Sequence, residues 1–167
     1  MSLSPPLDIS LLYRRHVAMV RARSLRILGS VAAAEDVAQE VFIRFLQDSG
    51  RRAVPEAPAA MLYRMATNAA LNRLRDARRR DELDAQHLSP SGQGDPDPVD
   101  WIALRQVLAQ VSEEEAQIAT YFYFDGLEHE EIAALLSLQR RTVGRRLDSF
   151  RSRARALLEQ APEGAET

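Results

Sequence analysis

The chain has 167 residues, of which 46% are hydrophobic and 28% charged. This composition is typical of one folded domain or two small ones, and not of a disordered segment. It contains no cysteine, which excludes disulfides and thiolate metal sites. There is no apolar run long enough for a membrane span, and the N-terminus lacks the pattern of a secretory signal. We therefore expect a cytoplasmic protein without membrane insertion.

Charge is unevenly distributed along the chain. Residues 1–80 have a net charge of +7, residues 81–138 of −12 and residues 139–167 of +3, which together give −2. Every basic residue is arginine, for which a GC-rich genome and selection for guanidinium chemistry are alternative explanations. Two basic segments thus flank an acidic one, and this asymmetry says more about partners than the total charge does.

Hydrophobic spacing predicts helices throughout the chain. Alternating runs of β-branched residues are missing, so strands are not expected. The predicted helices cover residues 8–28, 33–48, 57–82, 100–109, 113–124, 128–136 and 139–159. A run rich in proline and glycine at residues 88–100 predicts an extended connector between two helical modules.

The stretch AEDVAQEVFIRFLQ, residues 34–47, predicts one amphipathic helix. Glu35 and Asp36 are expected in its first turn, where acids complement the helix dipole. The core-facing stripe consists of Val37, Val41, Phe42 and Phe45. The opposite face carries Asp36, Gln39, Glu40, Ile43 and Gln47. Taken alone, this second face is most simply a solvated surface.

The predicted helix over residues 57–82 is basic and divided into two faces. Its apolar side consists of Leu62, Ala66, Ala69, Leu74 and Ala77. Polar residues at steps of four, four, three and four form one stripe, made of Arg64, Asn68, Asn72, Arg75 and Arg79. A solubilising face usually interleaves acids with bases, and here only Asp76 does so. Arginines suit phosphates and asparagines suit base edges, with a plain basic solvated helix as the alternative.

Residues 128–159 predict a helix-turn-helix. An amphipathic segment, LEHEEIAALLSL, is followed by a short turn and the basic segment QRRTVGRRLDSFRSRARALL. The apolar seam of the second helix is Val143, Leu147, Phe150, Ala154 and Leu157. In helix-turn-helix proteins the second helix enters the major groove with its N-terminal residues on base edges. Basic helix pairs are common, so this segment alone is not specific.

Together, these segments resemble a bacterial RNA polymerase sigma factor of the extracytoplasmic-function group in the sigma-70 family. AEDVAQEVFIRFLQ resembles that family's core-binding helix, and LYRMATNAALNRLRDARRR its promoter-melting helix. YFDGLEHEEIAALLSLQRRTVGRRLDSFRSRA resembles its C-terminal helix-turn-helix. The resemblance covers about residues 10–158, with all three motifs in order. It implies an all-α fold of two small helical domains joined by a flexible linker.

The resemblance gives each part of the chain an expected role. Sigma domain two is expected at residues 8–85 and sigma domain four at 100–160, with a linker at 86–99 and a disordered tail at 161–167. The implied function is that of an alternative sigma factor, which is not an enzyme and needs no cofactor, metal or small-molecule substrate. The implied partners are core RNA polymerase, promoter DNA and an anti-sigma factor.

The site residues follow from the same resemblance. Asp36, Gln39 and Glu40 would face the clamp coiled coil of the polymerase largest subunit, with Phe42 shaping that surface, which replaces the solvated-face interpretation. The polymerase flap is a further expected contact. The stripe Arg64, Asn68, Asn72, Arg75 and Arg79 would hold the non-template strand of the minus-ten element and capture a flipped base. The minus-thirty-five duplex would be read by Arg140, Arg141, Thr142, Arg145, Arg146 and Ser149.

The sequence also departs from the family pattern. Met61 stands where tryptophan is usual, and a methionine can fill the same core volume. Ser137 replaces a turn glycine, which predicts a strained or altered turn. Gln139 and Glu128 replace the usual helix caps, and each lost cap costs about 1 kcal/mol. Arg141, where glycine is common, could add a contact to DNA.

Other functions receive less support from the sequence. The three histidines are far apart, HEEIA lacks the second histidine of a zinc protease helix, and no phosphate-binding glycine loop is present. The alternatives are a stand-alone helix-turn-helix regulator, with residues 1–85 as a sensory bundle, and a sigma mimic that binds polymerase without promoter recognition. Neither would need the polar stripe from Arg64 to Arg79.

Overall fold

The computed structural model describes residues 8–49, 57–81 and 98–160. Within these ranges the chain forms helices and no strand, which confirms the all-α prediction. The helices are α1 (Ile9–Leu28), α2 (Val31–Ser49), α3 (Pro58–Asp81), α4 (Pro98–Gln110), α5 (Glu113–Tyr123), α6 (His129–Leu136) and α7 (Arg140–Gln160). Each lies within about two residues of its predicted bounds, as expected for sequence-derived helix ends. No helix in the described ranges is long and apolar enough to cross a bilayer. The predicted tail and linker lie outside them, except that residues 98–99 of the linker form the start of α4.

The described residues divide into two compact units, the first ending at Arg73 and the second beginning at Leu74. In the first unit, α1, α2 and the N-terminal part of α3 enclose one apolar core. The predicted core stripe of α2 is confirmed, because all four of its members are at most 5% exposed. Met61 packs against this core, as its replacement of tryptophan predicts.

A buried arginine joins α1 to α3 inside the first unit. Arg23 is only 4% exposed, and its Nε donates a hydrogen bond to Thr67 Oγ1 at 2.9 Å. Its guanidinium carbon also lies 4.5 Å from the centre of the Tyr63 ring, in a cation–π arrangement. Burying a charged group is costly unless its polar atoms are satisfied, so this contact fixes α3 against α1.

Helix α2 begins earlier than the sequence pattern predicts. Its first residue is Val31, and the Ser30 hydroxyl accepts a hydrogen bond from the Ala33 amide at 3.3 Å. Serine is a favoured N-terminal cap. The prediction that Glu35 and Asp36 lie in the first turn is therefore wrong, and both acids are available for contacts with other helices.

In the second unit, α7 packs against α4, α5 and α6. Val143, Leu147 and Phe150 of its apolar seam are at most 3% exposed, as predicted, whereas Ala154 and Leu157 are only half-buried. Helix α5 starts with a capping box, in which the Ser112 hydroxyl accepts from the Glu115 amide and the Glu115 carboxylate accepts from the Ser112 amide. Such reciprocal bonds satisfy two amides that have no partner within the helix.

The turn between α6 and α7 has the shape that glycine normally provides. Ser137 has φ 56° and ψ 42°, the left-handed conformation, and the Leu138 amide donates to the Ala133 carbonyl at 2.8 Å. A residue with a Cβ is strained there. The turn thus keeps its shape at a cost in stability. At the start of α6 the missing cap is partly replaced, because the Glu131 carboxylate accepts from the Glu128 amide at 2.7 Å.

Candidate nucleic-acid and polymerase interfaces

The predicted polymerase-binding face is the outer side of α2. Asp36 and Gln39 are exposed, and the Glu40 side chain is 38% exposed and pairs with Arg44 at 2.8 Å. Phe42 is 5% exposed and packs edge-on against Tyr13, with ring centroids 4.8 Å apart. It therefore supports the face from beneath. Ile43 is 55% exposed, which gives the polar face an apolar centre of the kind found in protein interfaces.

Two adjacent acids of α2 form ion pairs with the helices on either side. Glu35 lies 2.8 Å from the Arg21 guanidinium of α1. Asp36 lies 2.9 Å from the Arg73 guanidinium of α3. Both pairs are partly exposed, so each stabilises the fold only slightly. The Asp36–Arg73 pair is important for its geometry, because it places a carboxylate of the α2 face next to the basic helix α3.

The polar stripe of α3 is present as one continuous row along the helix. Arg64, Asn72 and Arg79 are exposed, and Asn68 is half-buried. The apolar side differs in detail from the prediction, since Ala70 and Leu71 are buried. Three predicted members are only half-buried, namely Ala69, Leu74 and Ala77. The three exposed members present guanidinium and amide groups at the surface. Such groups can contact phosphates and base edges respectively.

Arg75, the fourth member of this row, belongs to the second unit and is less exposed than Arg64 and Arg79. Its Nε donates to the Val111 carbonyl at 3.4 Å. Burial lowers the pKa of the Arg75 guanidinium, although the nearby Glu113 carboxylate acts in the opposite direction. An arginine keeps its charge through such a shift. Arg75 is therefore half-buried and cationic.

The candidate duplex-reading face belongs to the N-terminal half of α7. Arg141 and Arg145 are exposed, and within the described part of the chain neither forms an ion pair. Thr142 is half-buried, and its amide donates to the Gln139 carbonyl at 2.9 Å. Arg141 and Arg145 lie one helical turn apart on the same side, so both guanidinium groups can extend into a groove.

The other three predicted readers of the duplex contact acids of neighbouring helices. Arg140 pairs with Glu130 of α6, and Arg146 pairs with Glu114 of α5. The Ser149 hydroxyl donates to Glu115 Oε1 at 2.7 Å. These contacts restrict the rotamers of the three side chains before any ligand is present. A pre-oriented arginine loses less conformational entropy on binding.

The sequence did not predict the acids that hold these three side chains in place. Glu115 is 2% exposed and lies 34 positions before Ser149 in the chain. The S-x-x-E spacing of Ser112 and Glu115 is a recognisable capping box, which would have predicted the first of its two contacts. The second contact depends on packing between α5 and α7, for which the sequence carries no local signal. The contact of Arg73 with Asp36 likewise has no local signal in the sequence.

Among the described residues, no group of three or more histidine, aspartate or glutamate side chains is arranged to hold a metal ion. His129 is instead packed near the Phe122 ring, at 5.6 Å between centroids. Instead, arginines of the basic helices α3 and α7 form ion pairs with acids of α2, α5 and α6.

Comparisons with known families match both units. Residues 12–80 match the family model of Sigma-70 region 2, and residues 101–158 match that of Sigma-70, region 4. The first match covers the candidate polymerase-binding and minus-ten residues, and the second covers the candidate duplex-reading residues. Because residues 12–80 match Sigma-70 region 2, this comparison does not support the alternative in which residues 1–85 form the sensory bundle of a stand-alone regulator.

Individual proteins agree with this family. The chain is 32% identical over 142 residues to the ECF RNA polymerase sigma factor SigL of Mycobacterium tuberculosis, covering 81% of this chain and 80% of that protein. It is 30% identical over 147 residues to a probable RNA polymerase sigma factor, RfaY, of Xanthomonas campestris pv. campestris, covering 82% of this chain and 36% of that longer protein.

A solved structure has a similar fold. It is that of the sigma factor RpoE from Bartonella quintana, crystallised in complex with the anti-sigma factor NepR. The TM-score is 0.53 at 17% identity, over 93% of this chain and 99% of that one. At that identity the similarity concerns the fold alone. With two matching family models and relatives of at least 30% identity, the chain belongs to the extracytoplasmic-function group of the sigma-70 family, whose members act in transcription initiation.

Proposed function

We propose that the outer face of α2 binds the clamp coiled coil of core RNA polymerase, that α3 captures the minus-ten strand and that α7 reads the minus-thirty-five duplex. The observation that carries this proposal is the separation of charge between exposed faces. Acids and an exposed isoleucine occur on α2, whereas exposed arginines occur on α3 and α7. A binding subunit of this kind has no catalytic step of its own, and its partners are located in the cytoplasm.

The α2 face supports a protein contact better than a DNA contact. Asp36 and Glu40 are acidic, and each would repel phosphate. Both carboxylates are already close to arginines, so a basic partner segment would replace contacts of the same kind. Charge complementarity of this type favours rapid encounter and the correct register. Ile43 would supply the apolar area that becomes buried in the complex.

The α3 and α7 faces support two modes of DNA binding. In α3, Asn68 and Asn72 lie one turn apart between arginines, an arrangement suited to unpaired bases beside phosphates. In α7, Arg141 and Arg145 extend from a helix that follows a turn, the geometry of a recognition helix in the major groove. The stripe on α3 further distinguishes a promoter-opening subunit from a polymerase-binding mimic.

An anti-sigma protein is part of the proposal. The structure that shares this fold contains a sigma factor bound to an anti-sigma factor, and each face proposed to bind polymerase or DNA has exposed side chains in this chain. A protein that covers either face would prevent initiation. The expected domain bounds, residues 8–85 and 100–160, also belong to the proposal.

The first experiment is capture of bacterial core RNA polymerase by the purified chain, followed by run-off transcription on genomic fragments. Stable binding together with new, sequence-dependent start sites supports a sigma factor. Binding of core polymerase without transcription would identify a mimic. DNA binding without polymerase binding would overturn the proposal in favour of a stand-alone regulator.

The α2 surface is tested by charge reversal. Asp36→Arg with Glu40→Arg should lower affinity for core polymerase about tenfold or more, because like charges would meet across the interface. Asp48→Arg is a matched control, since this exposed residue is near the end of the same helix. Unchanged affinity in the double variant, or an equal loss in the control, would refute the assignment of this surface.

A further inference from the structure

The ion pair between Asp36 and Arg73 joins two faces with different proposed partners. Asp36 belongs to the α2 face, and Arg73 belongs to the basic helix α3. Their side chains are 64% and 37% exposed, and Arg73 Nη2 lies 2.9 Å from Asp36 Oδ2. The Asp36 carboxylate is therefore accessible to a cationic group from another molecule, while its oxygen is already in contact with a guanidinium.

Arg73 is located at the edge of the DNA-binding stripe. It directly follows Asn72, which is exposed, whereas Arg73 itself is half-buried on the side towards α2. An arginine side chain is long and has several rotatable bonds, so its guanidinium can reorient by several ångströms without movement of the helix. When it is not held by Asp36, the Arg73 guanidinium can reach a phosphate of a strand that lies along the stripe.

We propose that Asp36 and Arg73 form an exchangeable pair, in which Asp36 withholds Arg73 from DNA in the free protein and polymerase binding to Asp36 releases Arg73 to bind a phosphate of the minus-ten strand. This inference rests on the proposed function, because it requires a basic polymerase segment on the α2 face. It adds Arg73 to the DNA-binding residues and gives Asp36 a second role.

Exchange is physically reasonable because the pair is weak. Ion pairs at this level of exposure contribute little to stability, since solvent screens them and ordering two side chains opposes them. A polymerase contact that buries Asp36 against a cation competes for the same carboxylate oxygens. Arg73 then lacks its partner, and a phosphate of a strand bound along α3 can accept charge-assisted hydrogen bonds from its guanidinium. Polymerase binding would in this way strengthen DNA binding.

The first arm of the test uses the free full-length chain and a labelled single-stranded oligonucleotide of fixed mixed sequence. Asp36→Asn should bind this probe about threefold more tightly at low salt than the unmodified chain does. The dependence of log affinity on log salt should steepen by about 0.7, the value for one extra phosphate contact on a single strand. Arg73→Gln should leave the affinity nearly unchanged.

Two controls separate release of Arg73 from a general change in charge. Glu40→Gln removes an acid of the same face that pairs with Arg44, so it should not steepen the salt dependence. Asp36→Asn combined with Arg73→Gln should bind like Arg73→Gln alone. If the gain from Asp36→Asn persists in that double variant, or occurs equally in Glu40→Gln, the proposal is overturned.

The second arm uses holoenzyme assembled with core polymerase and the same probe. There Arg73→Gln should lower DNA affinity about threefold, although it has little effect in the free chain. An equal effect in both states, or none in either, would overturn the proposal. Core binding is measured separately. If Asp36→Asn and Glu40→Gln both leave it unchanged, the polymerase-binding assignment fails, whereas the free-chain results still decide whether Asp36 holds Arg73.

Discussion

Glu115 should hold α7 against α5, so its replacement should destabilise the second unit specifically. The carboxylate is buried, with the residue 2% exposed. Oε1 accepts from the Ser149 hydroxyl at 2.7 Å, and Oε2 accepts from the Ser112 amide at 3.1 Å. Arg153 Nε lies 4.0 Å away. Replacement by alanine removes these contacts and leaves a cavity at the α5–α7 contact.

The expected loss can be estimated from the two hydrogen bonds. Bonds to a charged group contribute about 1.5–3 kcal/mol each, but a donor that becomes hydrated recovers part of this. Ser112 is exposed and its amide can bind water, and removal of a buried carboxylate also removes its desolvation cost. We therefore expect Glu115→Ala to lower the free energy of unfolding of the second unit by about 2–3 kcal/mol.

The pH dependence of the free energy of unfolding gives an independent measure of the contribution of the Glu115 carboxylate. Burial raises the pKa of the Glu115 carboxyl, but the hydrogen bonds from Ser149 and Ser112 and the charge of Arg153 outweigh it, so the pKa is below its ordinary value of 4.5. The folded state therefore favours the ionised form. This contribution is present above the unfolded pKa and is lost as the pH falls below about 4.5 through the folded pKa. The stability difference from Glu115→Gln should shrink in that range.

Urea unfolding of the full chain, followed by tryptophan fluorescence, is a suitable assay. The sole tryptophan, Trp101, is in α4, so the signal monitors the second unit. The control is Glu113→Ala, because Glu113 lies in the same first turn but is exposed, and its carboxylate accepts a hydrogen bond from the Gln117 side-chain amide at 3.3 Å. An equal midpoint shift for both variants would show that Glu115 has no special role.

Three further substitutions test other parts of the structure. Ser137→Gly should raise the free energy of unfolding of the second unit by about 1 kcal/mol, since it removes the strain of a residue with a Cβ in the left-handed conformation. A decrease in the urea midpoint would contradict this. Thr67→Val should destabilise the first unit by about 1–3 kcal/mol, seen by thermal unfolding monitored by circular dichroism, because the buried Arg23 loses an acceptor; Ser10→Val, on an exposed side of α1, is the control. Arg145→Ala should weaken duplex binding by about 1–3 kcal/mol at one base pair. An equal loss on unrelated duplexes would mean that Arg145 contacts only phosphate.

The sequence allowed the helices, and the buried faces of α2 and of the N-terminal half of α7, to be predicted because both depend on neighbours three and four residues away. Val37 and Phe45 in α2, and Val143 and Leu147 in α7, are buried as their spacing predicts. The start of α2 was predicted incorrectly because acids favour an N-terminus only weakly, whereas the Ser30 hydroxyl caps it directly.

Side-chain partners between helices could not be predicted from the sequence. Asp36 and Arg73 are 37 positions apart, and Glu115 and Ser149 are 34 apart. Each side chain looked like an ordinary member of a polar helical face. Whether such a group faces solvent, DNA or a neighbouring acid depends on how the helices pack, and packing is set by many apolar contacts distant in sequence. The amino-acid sequence thus determined which residues could bind polymerase and DNA, and the tertiary structure decided which of them are already held by another side chain.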